Sequence, residues 1–294
     1  MRKFPLRLAR RPRRVESATP INMKLSNLRW KYWFVRLLLA LTFLYAALLA
    51  AIWWGQEALL FAPQPLPQDH VFKFGNDVHE RWIEVPGARL NALHLQLPNP
   101  KGVVFFLHGN SGNLESWFVN ADFYRRANFD MFMIDYRGYG KSSGSIQSQA
   151  QLEAAALEAW KQIAPQYAGK RRVIYGRSIG TGLASALAAQ VQPEQTILVS
   201  PYQSMLALAQ QHYPWVPAAL LRYPLRTDLA VPLLRGPLLL AHGELDTLIP
   251  PVNSQKLQQL LPGAKLTLVP GASHNDLQRF DVYLDAVRAA MVGP

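Results

Sequence analysis

The sequence predicts an α/β domain with a mostly parallel central sheet and helices on both of its faces, preceded by one membrane-spanning helix. Helical stretches alternate with six short apolar runs, which are typical of strands buried on both faces: Val103–Leu107, Met131–Ile134, Val173–Tyr175, Thr196–Val199, Leu238–Ala241 and Leu266–Val269. Repeated strand–helix units form parallel sheets, because each helix returns the chain to the same end of the sheet. A charge-free run of 18 residues near the N-terminus predicts the membrane helix.

The net charge of +12 is concentrated in a basic arm formed by residues 1–36. The arm contains eleven basic residues and one acidic residue, Glu16, whereas the rest of the chain contains 20 basic and 18 acidic residues. A nucleic-acid-binding domain would carry its positive charge on the globular part, so the near-neutral remainder argues against nucleic acid as a partner. If translation starts at Met23, residues 1–22 are not made.

The apolar run Leu37–Trp54 follows the arm directly and predicts a membrane anchor. As an α-helix it would be about 27 Å long, close to the hydrocarbon thickness of a bilayer. Tryptophans, which favour the membrane interface, stand near both ends of the run: Trp30, Trp33, Trp53 and Trp54. The bulky pair at its end argues against a cleaved signal peptide, which needs small residues at its cleavage site.

The position of the charges also predicts the topology. Because the basic residues precede the apolar run, the positive-inside rule places the N-terminus in the cytoplasm and the rest of the chain outside the cytoplasmic membrane. The chain has no cysteine and no N-x-S/T site, which favours a bacterial periplasm over a eukaryotic secretory lumen. We therefore predict a single-pass protein of the inner membrane with a periplasmic catalytic domain.

Residues 55–70 are predicted to be a linker, and residues 71–294 to form one catalytic domain with a single large core. Three prolines would make the linker semi-rigid and keep the domain close to the bilayer: Pro63, Pro65 and Pro67. Near the start of the domain, Arg81–Val85 and Leu90–Leu97 alternate apolar and polar residues, which predicts half-exposed antiparallel strands.

The pentapeptide Gly176-Arg177-Ser178-Ile179-Gly180 joins an apolar run to a helix rich in small residues. A serine at the apex of a sharp strand-to-helix turn is exposed but strained, and it crowds its neighbours. Gly176 and Gly180 would relieve that crowding. The helix that follows would aim its N-terminal N–H groups at the place where an oxyanion forms. The pentapeptide therefore predicts a nucleophilic serine.

Two further polar residues follow later strands, and with Ser178 they predict a catalytic triad. Asp246 comes after Leu238–Ala241, and His274 comes after Leu266–Val269. The carboxyl ends of parallel strands meet at one edge of the sheet, where catalytic residues of α/β folds lie. A serine hydroxyl needs a base, which a histidine supplies, and a carboxylate holds that histidine in the right tautomer. Glu244, on the same loop as Asp246, is a rival for the carboxylate.

An oxyanion needs two aimed N–H donors, for which Ile179 and Asn110 are the candidates. Ile179 follows the nucleophile, and Asn110 lies in the turn after the first buried strand. His108 and His242 stand at strand ends, where we expect them to brace loops. No H-x-x-x-H pattern or carboxylate cluster is present in the sequence, so neither a metal nor another cofactor is expected.

Five motifs in order resemble those of α/β-hydrolase serine hydrolases: His108-Gly109-Asn110-x-Gly112-Asn113, Asp135-Tyr136-Arg137-Gly138-Tyr139-Gly140-Lys141-Ser142, Gly176-Arg177-Ser178-Ile179-Gly180, His242-Gly243-x-x-Asp246 and Gly271-x-x-His274. The chain is most similar to the membrane-anchored lysophospholipase-like and serine-aminopeptidase-like group. The resemblance implies the α/β-hydrolase fold and Ser178, Asp246 and His274 as the triad. Relatives insert lids between Pro201 and Gly236, and only a short lid segment of 36 residues is present here.

These features predict a serine hydrolase that cleaves carboxylic ester or thioester bonds of acyl-bearing or lipid-like small molecules beside a membrane. A small-peptide peptidase is an alternative within enzymes, although the short lid segment offers only Asp228 to hold a peptide amine. A catalytically idle, membrane-tethered partner protein is an alternative from another class. The complete triad argues against that class, because idle relatives typically lose one member.

Overall fold

The structure is a computed structural model that describes residues 21–293, with side chains from residue 29 onward. The chain divides into two compact units, Met1–Ala51 and Ile52–Pro294. Helix α1 (Ile21–Trp54) contains an apolar stretch, Arg29–Trp54, in which a window of 18 residues has a mean hydropathy of 2.3. By length and composition this stretch fits a membrane span or a signal anchor, and it includes the predicted anchor. The first 20 residues of the predicted basic arm lie outside the described residues.

The second unit is built on an eight-stranded sheet in the order β10-β9-β8-β7-β4-β6-β3-β2. Its strands and a separate short pair run as follows: β1 (Ala62–Pro63), β2 (Val78–Val85), β3 (Ala88–Leu95), β4 (Gly102–Leu107), β5 (Ser111–Gly112), β6 (Asp130–Ile134), β7 (Arg171–Arg177), β8 (Gln195–Val199), β9 (Leu238–Gly243) and β10 (Lys265–Val269). Six neighbouring strands, β10, β9, β8, β7, β4 and β6, are parallel. Strand β3 is antiparallel to β6, and β2 is antiparallel to β3. The predicted mostly parallel sheet is therefore confirmed, and the six buried runs are six neighbouring strands.

Helices cover both faces of the sheet, because alternate residues of each strand point to opposite sides. In β4, Phe105 packs into one core and Phe106 into the other. Helices α5 (Gln149–Ile163) and α6 (Gly180–Val191) bury the first core, and α4 (Ala121–Ala127) and α10 (Asp281–Val292) bury the second. The other α-helices of this unit are α2 (Gln56–Leu60), α3 (Leu114–Trp117), α7 (Met205–His212), α8 (Thr227–Ala230) and α9 (Val252–Leu260).

Residues 55–70 pack into the domain, whereas the sequence had predicted a linker there. Gln56 and Phe61 are buried, and the compact unit begins at Ile52 rather than at residue 71. The reason lies in the alternation of prolines with other residues. The intervening N–H groups all donate to the domain: Ala62 N to Asn110 O at 2.8 Å, Gln64 N to Gly112 O at 3.1 Å and Leu66 N to Gly140 O at 2.8 Å. The prolines, which have no N–H to donate, occupy the positions between.

Helix α2 is tied to the lid segment, residues 201–236, by a polar clamp. The Gln56 side chain donates to Leu220 O at 2.9 Å and accepts from Arg222 N at 2.6 Å. The Glu57 carboxylate accepts from the Arg222 guanidinium at 2.7 Å and from the buried Tyr223 hydroxyl at 2.6 Å. The lid segment itself contains α7, α8 and two short 3₁₀ turns, so it is short, as the sequence predicted.

Candidate active site

Ser178 lies at the junction of β7 and α6, at the apex of the sharp turn. Its φ angle is +52°, in the left-handed region that non-glycine residues rarely adopt. The glycines on either side permit close packing. A Cβ at residue 180 would lie 2.3 Å from Leu107 O, and one at residue 176 would lie 2.5 Å from Ala184 Cβ. The turn can therefore press against β4 and its own helix only with glycine at both positions.

The structure connects Ser178, His274 and Asp246 by hydrogen bonds. His274 Nε2 lies 3.0 Å from Ser178 Oγ, and His274 Nδ1 lies 2.7 Å from Asp246 Oδ2. Ser178 and Asp246 are buried, while the His274 side chain is 12% exposed. The imidazole thus stands between the hydroxyl and the carboxylate, with access from solvent. Glu244, the rival carboxylate, is exposed on the surface of the loop.

The Asp246 carboxylate is held from several sides. Its Oδ1 accepts from Leu248 N at 3.1 Å and from Ile249 N at 2.8 Å, while Oδ2 faces His274 and lies 3.3 Å from His242 Nε2. Burial alone would raise the pKa of Asp246. The hydrogen bonds from His242, His274 and Ile249 outweigh burial and hold that pKa well below its usual value. Asp246 is therefore an ionised acceptor that fixes the proton of His274 on Nδ1.

His242 braces the Asp246 loop, as the sequence predicted. The buried ring contacts Ser254 Oγ at 2.7 Å through Nδ1 and Ile249 O at 2.6 Å through Nε2. A neutral ring with its proton on Nε2 satisfies both contacts, because it accepts from the serine hydroxyl and donates to the carbonyl. The same proton points toward Asp246. His242 therefore connects α9 to the carboxylate of the site.

His108 braces the turn that carries Asn110. Its Nδ1 donates to Gly109 O at 2.7 Å, and its Nε2 lies 3.5 Å from Asp135 Oδ1. Burial raises the pKa of Asp135, although His108 and the backbone N–H of Leu114 favour the charged form. The pair is fully buried beneath the turn, so the backbone at the end of β4 has a rigid support.

The structure places the turn after β4 beside the serine. A Cβ at residue 109 would lie 3.8 Å from Ser178 Cβ. The Asn110 carbonyl accepts from Ala62 N at 2.8 Å and from the Tyr139 hydroxyl at 2.6 Å, which fixes the orientation of this peptide. Within residues 21–293, the backbone N–H groups of Asn110 and Ile179 donate to no protein acceptor. Both are therefore available to a ligand.

Arg177 faces the protein interior next to the serine. Its guanidinium donates to His274 O at 3.0 Å and to Gln278 Oε1 at 3.3 Å, and it lies 5.8 Å from the centre of the Trp117 ring. Arg177 thereby supports the backbone of the histidine loop. Sequence reasoning did not find Trp117 and Gln278, since they come from separate elements and belong to no motif. Among the described residues, no group of three or more His, Cys, Asp or Glu is arranged to hold a metal ion.

Comparisons with known proteins agree with this architecture. The family described as "Serine aminopeptidase, S33" matches residues 98–229. An uncharacterized protein of Mycobacterium tuberculosis, Rv2307c, is 30% identical over 251 residues, which cover 81% of this chain and 87% of the relative. The α/β-hydrolase domain-containing protein 17C of Xenopus tropicalis is 29% identical over 215 residues, which cover 71% of this chain and 67% of the relative.

Solved structures share the fold at low sequence identity. The Pyrococcus furiosus esterase Pf2001 superposes with a TM-score of 0.63 at 16% identity, covering 79% of this chain and 100% of the esterase. The Butyrivibrio proteoclasticus protein Est1E, solved with ferulic acid, gives a TM-score of 0.58 at 20% identity, covering 72% of this chain and 96% of Est1E. Together with the parallel sheet and the serine turn at its edge, these matches show that the chain belongs to the α/β-hydrolase superfamily, among its members related to the S33 serine aminopeptidases.

Proposed function

We propose that this protein is a serine hydrolase that cleaves carboxylic ester or thioester bonds of acyl-bearing or lipid-like small molecules. The observation that carries the proposal is the pair of hydrogen bonds made by His274, one to Ser178 Oγ at 3.0 Å and one to Asp246 Oδ2 at 2.7 Å. A hydroxyl, an imidazole and a buried carboxylate in this order supply the nucleophile, the base and the group that orients the base.

In the proposed reaction, Ser178 Oγ attacks the acyl carbonyl carbon while His274 Nε2 takes its proton. The negative charge that develops on the carbonyl oxygen is stabilised by the backbone N–H groups of Ile179 and Asn110. His274 then gives its proton to the departing alcohol or thiol, and the acyl group stays on Ser178. Water, deprotonated by His274, releases the acid and restores the serine. Asp246 stays ionised throughout and stabilises the imidazolium.

The family description favours a second candidate, a peptidase that recognises a free amine. An amine site would need an unoccupied carboxylate near the scissile bond. Asp228, the acid that the sequence offered in the lid segment, accepts two hydrogen bonds from Arg226, both at 2.8 Å. The local pairing of Asp228 supports ester or thioester cleavage over aminopeptidase activity.

Hydrolysis assays on the full-length chain in detergent test this choice. We expect kcat/KM for p-nitrophenyl butyrate and for a butyryl thioester to exceed that for alanine and proline p-nitroanilides by at least about 100-fold, because Asp228, the acid of the lid segment, is already paired with Arg226. A preference for the anilides would establish the peptidase instead. If no substrate were turned over in a Ser178-dependent manner, the idle partner protein would be the correct alternative.

We further propose that residues 37–54 anchor the chain in the inner membrane, with residues 1–36 in the cytoplasm and the catalytic domain in the periplasm. The apolar stretch Arg29–Trp54 and the basic residues before it support this orientation. An alkaline phosphatase fused after Pro294 is expected to be active in intact bacteria, because that enzyme folds only after export. An inactive phosphatase fusion would reverse the proposed topology if a fluorescent protein that folds only in the cytoplasm is fluorescent when it is fused at the same site.

A further inference from the structure

An apolar groove of about 350 Å³ lies between helix α2 and the lid segment, apart from the Ser178 turn. Its walls come from α2, from one face of α7 and from the stretch that follows α7. The lining residues that matter most are Leu59 and Leu60 on α2, Leu206 and Ala209 on α7, and Trp215 and Leu221 beyond it. A volume of this size falls at the lower end of the range for small-molecule sites.

The chemistry of the groove suits a hydrocarbon. None of its lining residues is charged, and only two, Gln56 and Gln210, carry side-chain amides. The Gln56 amide is buried, and it already donates to Leu220 O and accepts from Arg222 N. Apart from these amides, the polar side-chain atoms of the lining are those of Tyr213 and Trp215, so a charged molecule would lose more hydration here than it could replace, whereas an alkyl chain has no hydrogen bonds to lose.

The groove opens to the surface through exposed apolar side chains. Leu59 is 68% exposed, Tyr213 57% and Trp215 48%, and the two aromatic rings contact each other at 6.5 Å. The lining begins at Ile52, in the last turn of the apolar helix α1. Exposed aromatic rings beside apolar side chains are typical of a surface that meets lipid.

One wall of the groove leads to the turn that lies beside Ser178. Leu60 is two residues from Ala62, whose N–H binds the Asn110 carbonyl. Two residues span about 7 Å at most. Between them, Phe61 is buried edge-on against Tyr223, with ring centres 5.3 Å apart. The groove and the turn that carries Asn110 are therefore neighbours, at a separation that a hydrocarbon chain of moderate length can span.

We propose that this groove binds the hydrocarbon chain of the substrate, so that the enzyme prefers medium-chain or long-chain acyl esters drawn from a lipid phase. The proposal rests on the proposed ester hydrolase function and names its substrate class. In it, α2 forms one wall of the substrate site, and the Gln56 and Glu57 clamp to the lid keeps that wall in place. The value of kcat/KM would then rise with the length of the acyl chain.

Chain-length profiles of the full-length protein test the proposal, with p-nitrophenyl acetate and decanoate below their micellar concentrations. Each buried methylene is worth about fourfold in kcat/KM, so we expect a decanoate-to-acetate ratio of at least about 100 in the wild type. Ala209→Trp, which fills the groove, and Leu206→Gln, which makes it polar, should each lower that ratio at least about tenfold. Ala219→Trp makes the same change as Ala209→Trp at an exposed position outside the groove and should keep the wild-type ratio.

A binding measurement separates this proposal from the reaction itself. The probe is decyl methyl ether with a diazirine at the end of its chain, which the enzyme cannot hydrolyse, applied to Ser178→Ala protein. We expect labelling on peptides that contain Leu59 or Leu206, and its loss in the double variant with Ala209→Trp. Labelling elsewhere would overturn the proposal, and so would an unchanged decanoate-to-acetate ratio in both groove variants. A dimer that dissociates on the Ala209→Trp change would assign the groove to a second copy of the chain instead. Labelling in the groove without any ester hydrolysis would overturn the proposed reaction and leave the groove assigned.

Discussion

Ser178→Ala is expected to lower kcat for ester hydrolysis by at least about 10⁴-fold and to abolish labelling by a fluorophosphonate probe. The change removes the hydroxyl that lies 3.0 Å from His274 Nε2. The rest of the site stays in place, so any residual rate would come from the oxyanion donors and from substrate binding. The measurements are gel fluorescence of labelled membranes and steady-state kinetics on p-nitrophenyl butyrate.

Ser200→Ala is the matched control for this experiment. Ser200 is also buried, also follows a parallel strand, and has a φ of +48°, close to that of Ser178. Its Oγ has no hydrogen-bond partner among the described residues, so removing it should leave stability, labelling and turnover unchanged. Labelling that persisted in Ser178→Ala would exclude Ser178 as the nucleophile, and labelling lost in Ser200→Ala alone would assign that role to Ser200.

Asp246→Asn is expected to lower kcat by about 10³–10⁴-fold while the protein stays folded. The carboxylate accepts from His274 Nδ1 and from the N–H groups of Leu248 and Ile249. An amide can keep the backbone contacts through its oxygen, but its NH₂ group would then face Nδ1 and favour the wrong tautomer of His274. The pKa of Asp246 is lowered, so the wild-type carboxylate needs no deprotonation at neutral pH.

Glu244→Gln is the control for the loss of the carboxylate, because Glu244 lies on the same loop but is exposed. It should retain wild-type kcat. Thermal unfolding of both variants separates a catalytic defect from a loss of fold. A large loss of activity in Glu244→Gln with an active Asp246→Asn protein would assign the carboxylate to Glu244.

Much of the fold could be predicted because the buried strands are short, continuous apolar runs. Val103–Leu107 is an example: residues on both faces of a central strand must be apolar, so the run reads directly as a buried strand. The order of the strands across the sheet could not be predicted in this way. It depends on which face each connecting helix covers, and that is decided by packing between residues far apart in sequence.

The candidate site was predictable to the extent that it follows strand ends. Ser178, Asp246 and His274 each come directly after a parallel strand, and the sheet brings those ends together. The residues around the site could not be predicted in this way. The contact of Arg177 with His274 O spans 97 residues and involves a backbone atom, for which the sequence carries no pattern. The clamp from Glu57 to Tyr223 spans 166 residues and is hidden for the same reason.

The alternation of Pro63, Pro65 and Pro67 with hydrogen-bonding residues has a consequence for the solubility of the domain. A strand paired along one side normally leaves a row of N–H groups on its other side, and such an edge recruits strands from other molecules. Prolines at every second position leave that outer row without donors. The segment therefore seals the short β1–β5 pair beside the serine, and it protects the entrance of the site from pairing with a second chain.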